Sequence, residues 1–134
     1  MSRLADVVTK RRAEHASILP GIVIVPAYNE AANLPPVLAD VQRCAPRVDL
    51  VVIDDASVDD TAAIAADLGA RVIRLPCNLG YGGALQTGYK YAVERGYRFA
   101  VTLDADGQHD PADIPALLEP VLSGEADVAI GSRI

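Results

Sequence analysis

The chain of 134 residues contains no tryptophan, one phenylalanine and two cysteines, and none of its apolar runs approaches the ~18 residues of a membrane-spanning helix. Each absence excludes something. Cys44 and Cys77 are isolated, so neither a disulfide framework nor a zinc site is encoded, and both are expected as buried, reduced thiols of a cytosolic protein. The N-terminus lacks the apolar segment of a signal peptide. Basic residues are in deficit, 12 Lys and Arg against 18 Asp and Glu, and the net charge of −6 leaves no basic stripe for nucleic acid. No Gly-x-Gly-x-x-Gly follows the first apolar run, and no Gly-x-x-x-x-Gly-Lys-Ser/Thr occurs, which sets aside the common dinucleotide and P-loop sites.

What is present is aliphatic. Hydrophobic residues make up 51% of the chain, mostly Ala, Val, Leu and Ile, which suits a tightly layered α/β core. A single domain of this size buries about 68–70% of its unfolded surface. Residues 1–19 stand apart. They carry the cluster Lys10-Arg11-Arg12 and are expected as an arm or short helix outside the core, open to anionic lipid or a partner chain.

From Ile22 the punctuation becomes regular and defines a domain over 20–134. The run Ile22–Val25 reads as a buried strand ended by Pro26, and Asn29 can cap a helix from about Glu30 to Cys44 with Leu34, Val37, Leu38 and Val41 inward. Pro35 and Pro36 then fall in its first turn, where missing amides cost least. Leu50–Ile53 is a second strand, closed by Asp54-Asp55. Ser57 and Asp60 resemble a capping box for a helix over Val58–Leu68, with Gly69 as its stop. A third strand at Arg71–Leu75 leads to the glycine-rich stretch Asn78-Leu-Gly80-Tyr-Gly82-Gly83. That stretch reads as a loop allowing close backbone approach to a ligand, with a helix over Ala84–Arg95 whose N-terminus can face anionic groups. A fourth strand runs into Asp104, a helix follows over Pro111–Leu122, and a fifth strand covers Asp127–Ile130. Short apolar strands alternating with helices predict a mainly parallel, Rossmann-like sheet with helices on both faces. Ligands of such sheets bind beyond the carboxyl ends of the strands, where the unusual residues of this chain gather.

The most informative stretch is Leu103-Asp104-Ala-Asp106-Gly-Gln108-His-Asp110-Pro111. Two carboxylates one residue apart at a strand end point the same way if strand geometry persists. Taken alone, Asp-x-Asp followed by Gly107 reads first as a solvated turn; as a site, the two carboxylates repel unless a cation lies between them, and Mg²⁺ characteristically combines one or two carboxylates with phosphate oxygens and water. Asp110 before Pro111 is explained as a helix cap, and Asp113 as its first-turn complement. His109 reads as a surface loop residue.

Five motifs occur in order: Pro26-Ala-Tyr28-Asn-Glu30, Asp54-Asp55-Ala-Ser57-x-Asp59-x-Thr61, Asn78-x-Gly80-x-Gly82-Gly83-Ala84, Leu103-Asp-Ala-Asp106-Gly-Gln108-His-Asp-Pro111 and Gly131-Ser-Arg133. Together they resemble the family 2 glycosyltransferases of GT-A fold, most closely the branch of dolichyl-phosphate mannose synthase and related polyprenyl-phosphate glycosyltransferases. The resemblance implies that Pro26, Tyr28 and Glu30 line the nucleoside pocket, with Glu30 on the ribose hydroxyls, and that Ile53 and Asp55 contact the base. It implies that Asp104, Ala105 and Asp106 form the Asp-x-Asp element meeting the sugar nucleotide, and that Asp104, Asp106 and Gln108 meet a Mg²⁺ or Mn²⁺ ion. Arg133 would lie near the phosphate or sugar. The implied activity is inverting transfer of a sugar from a GDP- or UDP-sugar to an acceptor such as a polyprenyl phosphate, at the cytoplasmic face of a membrane.

Members of the family continue well past the Gly-Ser-Arg motif, whereas this chain stops at Ile134. It is therefore expected to be a nucleotide-binding part, truncated after the fifth strand, whose exposed edge could drive homo-oligomerisation. A non-catalytic nucleotide-binding or assembly module is the alternative reading. A sugar-phosphate nucleotidyltransferase is a third, but it would need a glycine-rich basic loop where Pro26-Ala-Tyr-Asn-Glu30 stands.

Overall fold

A computed structural model describes residues 7–10, 21–107, 110–125 and 128–130. Its elements are β1 (Val7–Lys10), β2 (Ile22–Ala27), α1 (Leu34–Cys44), β3 (Asp49–Asp54), α2 (Thr61–Asp67), β4 (Arg71–Arg74), α3 (Gly80–Arg95), β5 (Phe99–Thr102), a 3-10 turn (Pro111–Asp113), α4 (Ile114–Leu122) and β6 (Val128–Ile130). The six strands form one sheet in the order β4-β3-β2-β5-β1-β6. Neighbours among β4, β3, β2 and β5 are parallel, and β1 is antiparallel to both β5 and β6. Residues 7–10, expected in an arm outside the core, thus lie within the sheet.

Strand alternation sorts the core into two layers. Val23, Val25, Leu50, Val52 and Val101 face one side and pack with Leu34, Leu38 and Val41 of α1, Ala65 of α2 and Ile114 and Val121 of α4. Ile22, Ile24, Val51 and Ile53 face the other side and meet Ala84 and Ala92 of α3. Burying each such aliphatic side chain contributes about 1.5–3 kcal/mol, which makes the two-sided strands the main source of stability. α3 lies directly on β2, since a Cβ added at Gly88 would sit 2.4 Å from Ile24 Cγ2.

Several boundaries differ from the sequence reading. Pro26 does not end its strand: β2 continues to Ala27, and Pro26 is in register with Ile53. α1 starts at Leu34 rather than near Glu30, after a turn over residues 31–33, with the proline pair in its first turn as expected. α2 starts at Thr61 rather than Val58, because the Ser57 hydroxyl accepts from the Asn29 amide instead of capping its own helix. α3 starts at Gly80, a turn earlier than Ala84. Asp110 does cap locally, accepting from the Ala112 amide at 3.0 Å. Cys44 is half-buried and Cys77 exposed, so the expectation of two buried thiols is corrected.

Candidate active site

The carboxyl ends of β2 and β3 carry loops that are bonded to each other. The Asn29 amide donates to Ser57 Oγ at 2.8 Å, and the Val58 amide returns a bond to Asn29 Oδ1 at 2.9 Å. The Glu30 amide donates to Thr61 Oγ1 at 3.0 Å, and the Ala31 amide reaches Asp59 Oδ2 at 3.3 Å. Asn29 and Ala56 hold positive φ, 51° and 62°, at the two loop bends. Asn tolerates this conformation through its short polar side chain, whereas Ala56 adopts it against preference, so the paired loops hold a strained backbone in place. The Thr61 hydroxyl, donating to Asp59, holds that carboxyl below its usual range. Asp54 is fully buried, accepts from the Ser57 amide at 3.0 Å and lies 3.6 Å from Arg74 Nε, which fixes the base of the β3 loop.

Asp55 has a role the sequence did not suggest. Its Oδ1 accepts from the Leu79 amide at 2.7 Å and its Oδ2 from the Gly80 amide at 2.9 Å. It is the anion at the N-terminus of α3, where four backbone amides lack intrahelical partners and the helix dipole favours negative charge. The anionic group expected there from outside is supplied first by the protein.

Beside these loops opens a cleft of about 410 Å³ lined by Pro26, Tyr28, Glu30, Tyr81, Asp104, Ala105 and Asp106. A hollow of about 110 Å³ shares Pro26, Tyr28 and Tyr81 with it and is bordered by Asp55. The strand stops at Thr102 and Asp106 lies in a turn, yet both carboxylates reach the same cleft. Asp104 is buried and Asp106 exposed. The Glu30 side chain accepts from Asn33 Nδ2 at 3.1 Å, and its carbonyl accepts from the Asn33 and Leu34 amides, which ties it to the start of α1.

The structure brings together Pro26, Tyr28, Glu30, Asp104, Ala105 and Asp106, with Asp55 on the adjoining hollow. Ile53 does not join them. It is fully buried in the core layer beneath α3. Gln108, His109 and Arg133 lie outside the described residues. Tyr81 was missed. Its hydroxyl donates to Asp104 Oδ1 at 3.0 Å, and desolvation followed by the Asp104 charge raises the phenol above its ordinary value. The only signal was its place between Gly80 and Gly82, a stretch that reads as loop but forms the first turn of α3.

Among the described residues no set of three or more His, Cys, Asp and Glu forms a metal cage. The donor chemistry of the cleft still fits a hard divalent cation: Asp104 and Asp106 supply two carboxylates, and such ions take remaining ligands from substrate phosphates and water.

The family model described as glycosyl transferase family 2 matches residues 22–134. Polyprenol monophosphomannose synthase of Mycolicibacterium smegmatis is 40% identical over 118 residues, covering 84% of this chain and 44% of that protein. Undecaprenyl-phosphate mannosyltransferase of Micrococcus luteus is 40% identical over 117 residues, covering 84% and 47%. The chain thus spans about half the length of the curated relatives it matches. Among solved structures, glucosyl-3-phosphoglycerate synthase from Mycobacterium tuberculosis in complex with Mn²⁺ and UDP-glucose superposes with a TM-score of 0.66 at 30% identity, covering 81% of this chain and 41% of that one. The expected GT-A, Rossmann-like sheet is therefore the observed one. With the family model matched over residues 22–134 and the motifs and fold in accord with it, the chain belongs to glycosyl transferase family 2.

Proposed function

We propose that this chain is the nucleotide-sugar-binding part of an inverting glycosyltransferase that moves a sugar from a GDP- or UDP-sugar to a polyprenyl or other lipid phosphate. The observation that carries this reading is the single cleft that joins Pro26 of β2, and Tyr28 and Glu30 of the loop after it, to Asp104 and Asp106 beyond β5. Tyr28 and Glu30 would hold the nucleoside, Glu30 accepting ribose hydroxyls. Asp104, Asp106 and Gln108 would hold Mg²⁺ or Mn²⁺, with Arg133 near the phosphate or sugar. When bound, the cation supplies Lewis-acid neutralisation of charge developing on the leaving diphosphate.

The reaction balances simply. An oxygen of the acceptor attacks the anomeric carbon, the bond from that carbon to the donor's phosphate oxygen breaks, and the nucleoside diphosphate departs with the bonding pair. Attack from the opposite face inverts the anomeric configuration. A phosphate monoester, with a second pKa near ~6, is already anionic at neutral pH and needs no general base. The relatives named for polyprenol and undecaprenyl phosphates favour this acceptor class. No helix among the described residues is long and apolar enough to cross a membrane. The lipid-phosphate acceptor class is what supports action at the cytoplasmic face of a membrane.

Calorimetry with UDP and GDP, with and without Mn²⁺, tests the reading. Binding is expected only with metal and is lost in Asp106→Ala. Equal affinity with and without Mn²⁺, in both proteins, would overturn it.

A further inference from the structure

We infer that Tyr81 is a positioning residue for Asp104, fixing that carboxylate for a divalent cation and a diphosphate; the inference rests on the nucleotide-sugar reading above. The phenol hydroxyl donates to Asp104 Oδ1 at 3.0 Å, and both residues line the same cleft. They belong to different elements. Tyr81 is in the first turn of α3, and Asp104 follows β5, so the bond joins two walls of the cleft.

The phenol is itself held from a third element. Asp55, next to the end of β3, accepts from the Leu79 and Gly80 amides immediately before Tyr81. Contacts therefore run from β3 through the first turn of α3 to Asp104. Two further features keep this turn in place. A Cβ at Gly83 would sit 2.6 Å from Leu79 Cβ, so the turn closes tightly on its own start. Ala84 is buried in the core against the sheet.

A carboxylate offers about four lone-pair sites, and the phenol occupies one of them, which restricts the rotation of the group. Hydrogen bonds of this outer kind orient ligating groups, and their removal typically costs about 10–100-fold in metal affinity. Tyr81 also borders the smaller hollow, so its ring has a competing use as a wall for the nucleoside. Phenylalanine keeps the ring and removes only the hydroxyl, which separates the two.

The experiment is a Mn²⁺ titration followed by electron paramagnetic resonance, in the presence of UDP or GDP, on the wild type, Tyr81→Phe, Asp104→Ala and the double variant. Circular dichroism melting confirms that each variant folds. Tyr81→Phe is expected to weaken Mn²⁺ binding about 10–100-fold in the wild-type background. It is expected to change nothing further once Asp104 is alanine, because a residue acting through Asp104 has no separate effect without it. Wild-type affinity in Tyr81→Phe, or an equal loss in both backgrounds, would overturn the assignment while leaving the nucleotide-sugar reading intact. Absence of Mn²⁺-dependent nucleotide binding in the wild type would overturn both.

Discussion

Replacing Asp55 with asparagine isolates what its carboxylate does for α3. Asparagine keeps the shape and one acceptor oxygen, but its NH₂ group must face a backbone amide. One of the two bonds, from Leu79 at 2.7 Å or Gly80 at 2.9 Å, is lost. A bond to a charged acceptor contributes about 1.5–3 kcal/mol. Removing the charge from the helix N-terminus costs a further ~0.3–1 kcal/mol. One contact works against the loss: the Gly80 amide also donates to Asn78 Oδ1 at 3.1 Å, so it retains a partner. The expected destabilisation is therefore near the low end, about 2 kcal/mol for Asp55→Asn, and about 3–4 kcal/mol for Asp55→Ala, which loses both bonds. For a domain of this size each kcal/mol lowers the melting temperature by roughly 3–5 °C, which predicts a fall of about 6–10 °C for the asparagine variant. Thermal unfolding followed by circular dichroism reads this directly. Adding Asn78→Ala should cost more in the Asp55→Asn background than alone, because Gly80 then loses its remaining side-chain partner. Melting within about 1 °C of wild type for both single Asp55 variants would refute the capping role.

Other perturbations test the packing and the far edge of the sheet. Gly88→Ala forces a methyl against Ile24 on the central strand and is expected to cost about 1–3 kcal/mol, read as a lower urea midpoint with an unchanged m-value; a neutral substitution would show that α3 does not lie on β2 as described. Tyr97 is buried, and its hydroxyl donates to Asp49 Oδ2 at 2.6 Å while accepting from Arg71 Nη1 at 2.9 Å. Burial, then the Asp49 bond and charge, push its phenol up to about 12. Below the unfolded value near ~10 both states keep the proton and stability is independent of this group. Between about pH 10 and 12 the unfolded chain releases a proton that the folded chain retains, so stability falls as pH rises. Urea unfolding across that window should show a shallower decline in Tyr97→Phe, and identical slopes in the two proteins would remove Tyr97 as the cause.

What could be read from the residues alone was what is decided locally. The apolar runs gave the parallel strands, the i, i+3, i+4, i+7 spacing gave the buried face of α1, and Asp110-Pro111 gave a cap because its acceptor and donor are two residues apart. The acidic pair beyond β5 and the Pro26–Glu30 loop were also legible, because their chemistry is unusual at the end of an apolar run and the cleft holds both. The tertiary structure decided the rest. The starts of α2 and α3 depend on partners 28 and 24 residues away, where Asn29 takes the Ser57 hydroxyl and Asp55 binds the Leu79 amide. Ile53 could be placed in the core rather than the cleft only once α3 was seen to cover it. Tyr81 reaches Asp104 across 23 residues of sequence, from a turn that its neighbouring glycines disguise as loop. Hydrogen bonds between distant segments have no periodicity to read. They become visible only when the sheet brings the carboxyl ends of its strands to one edge.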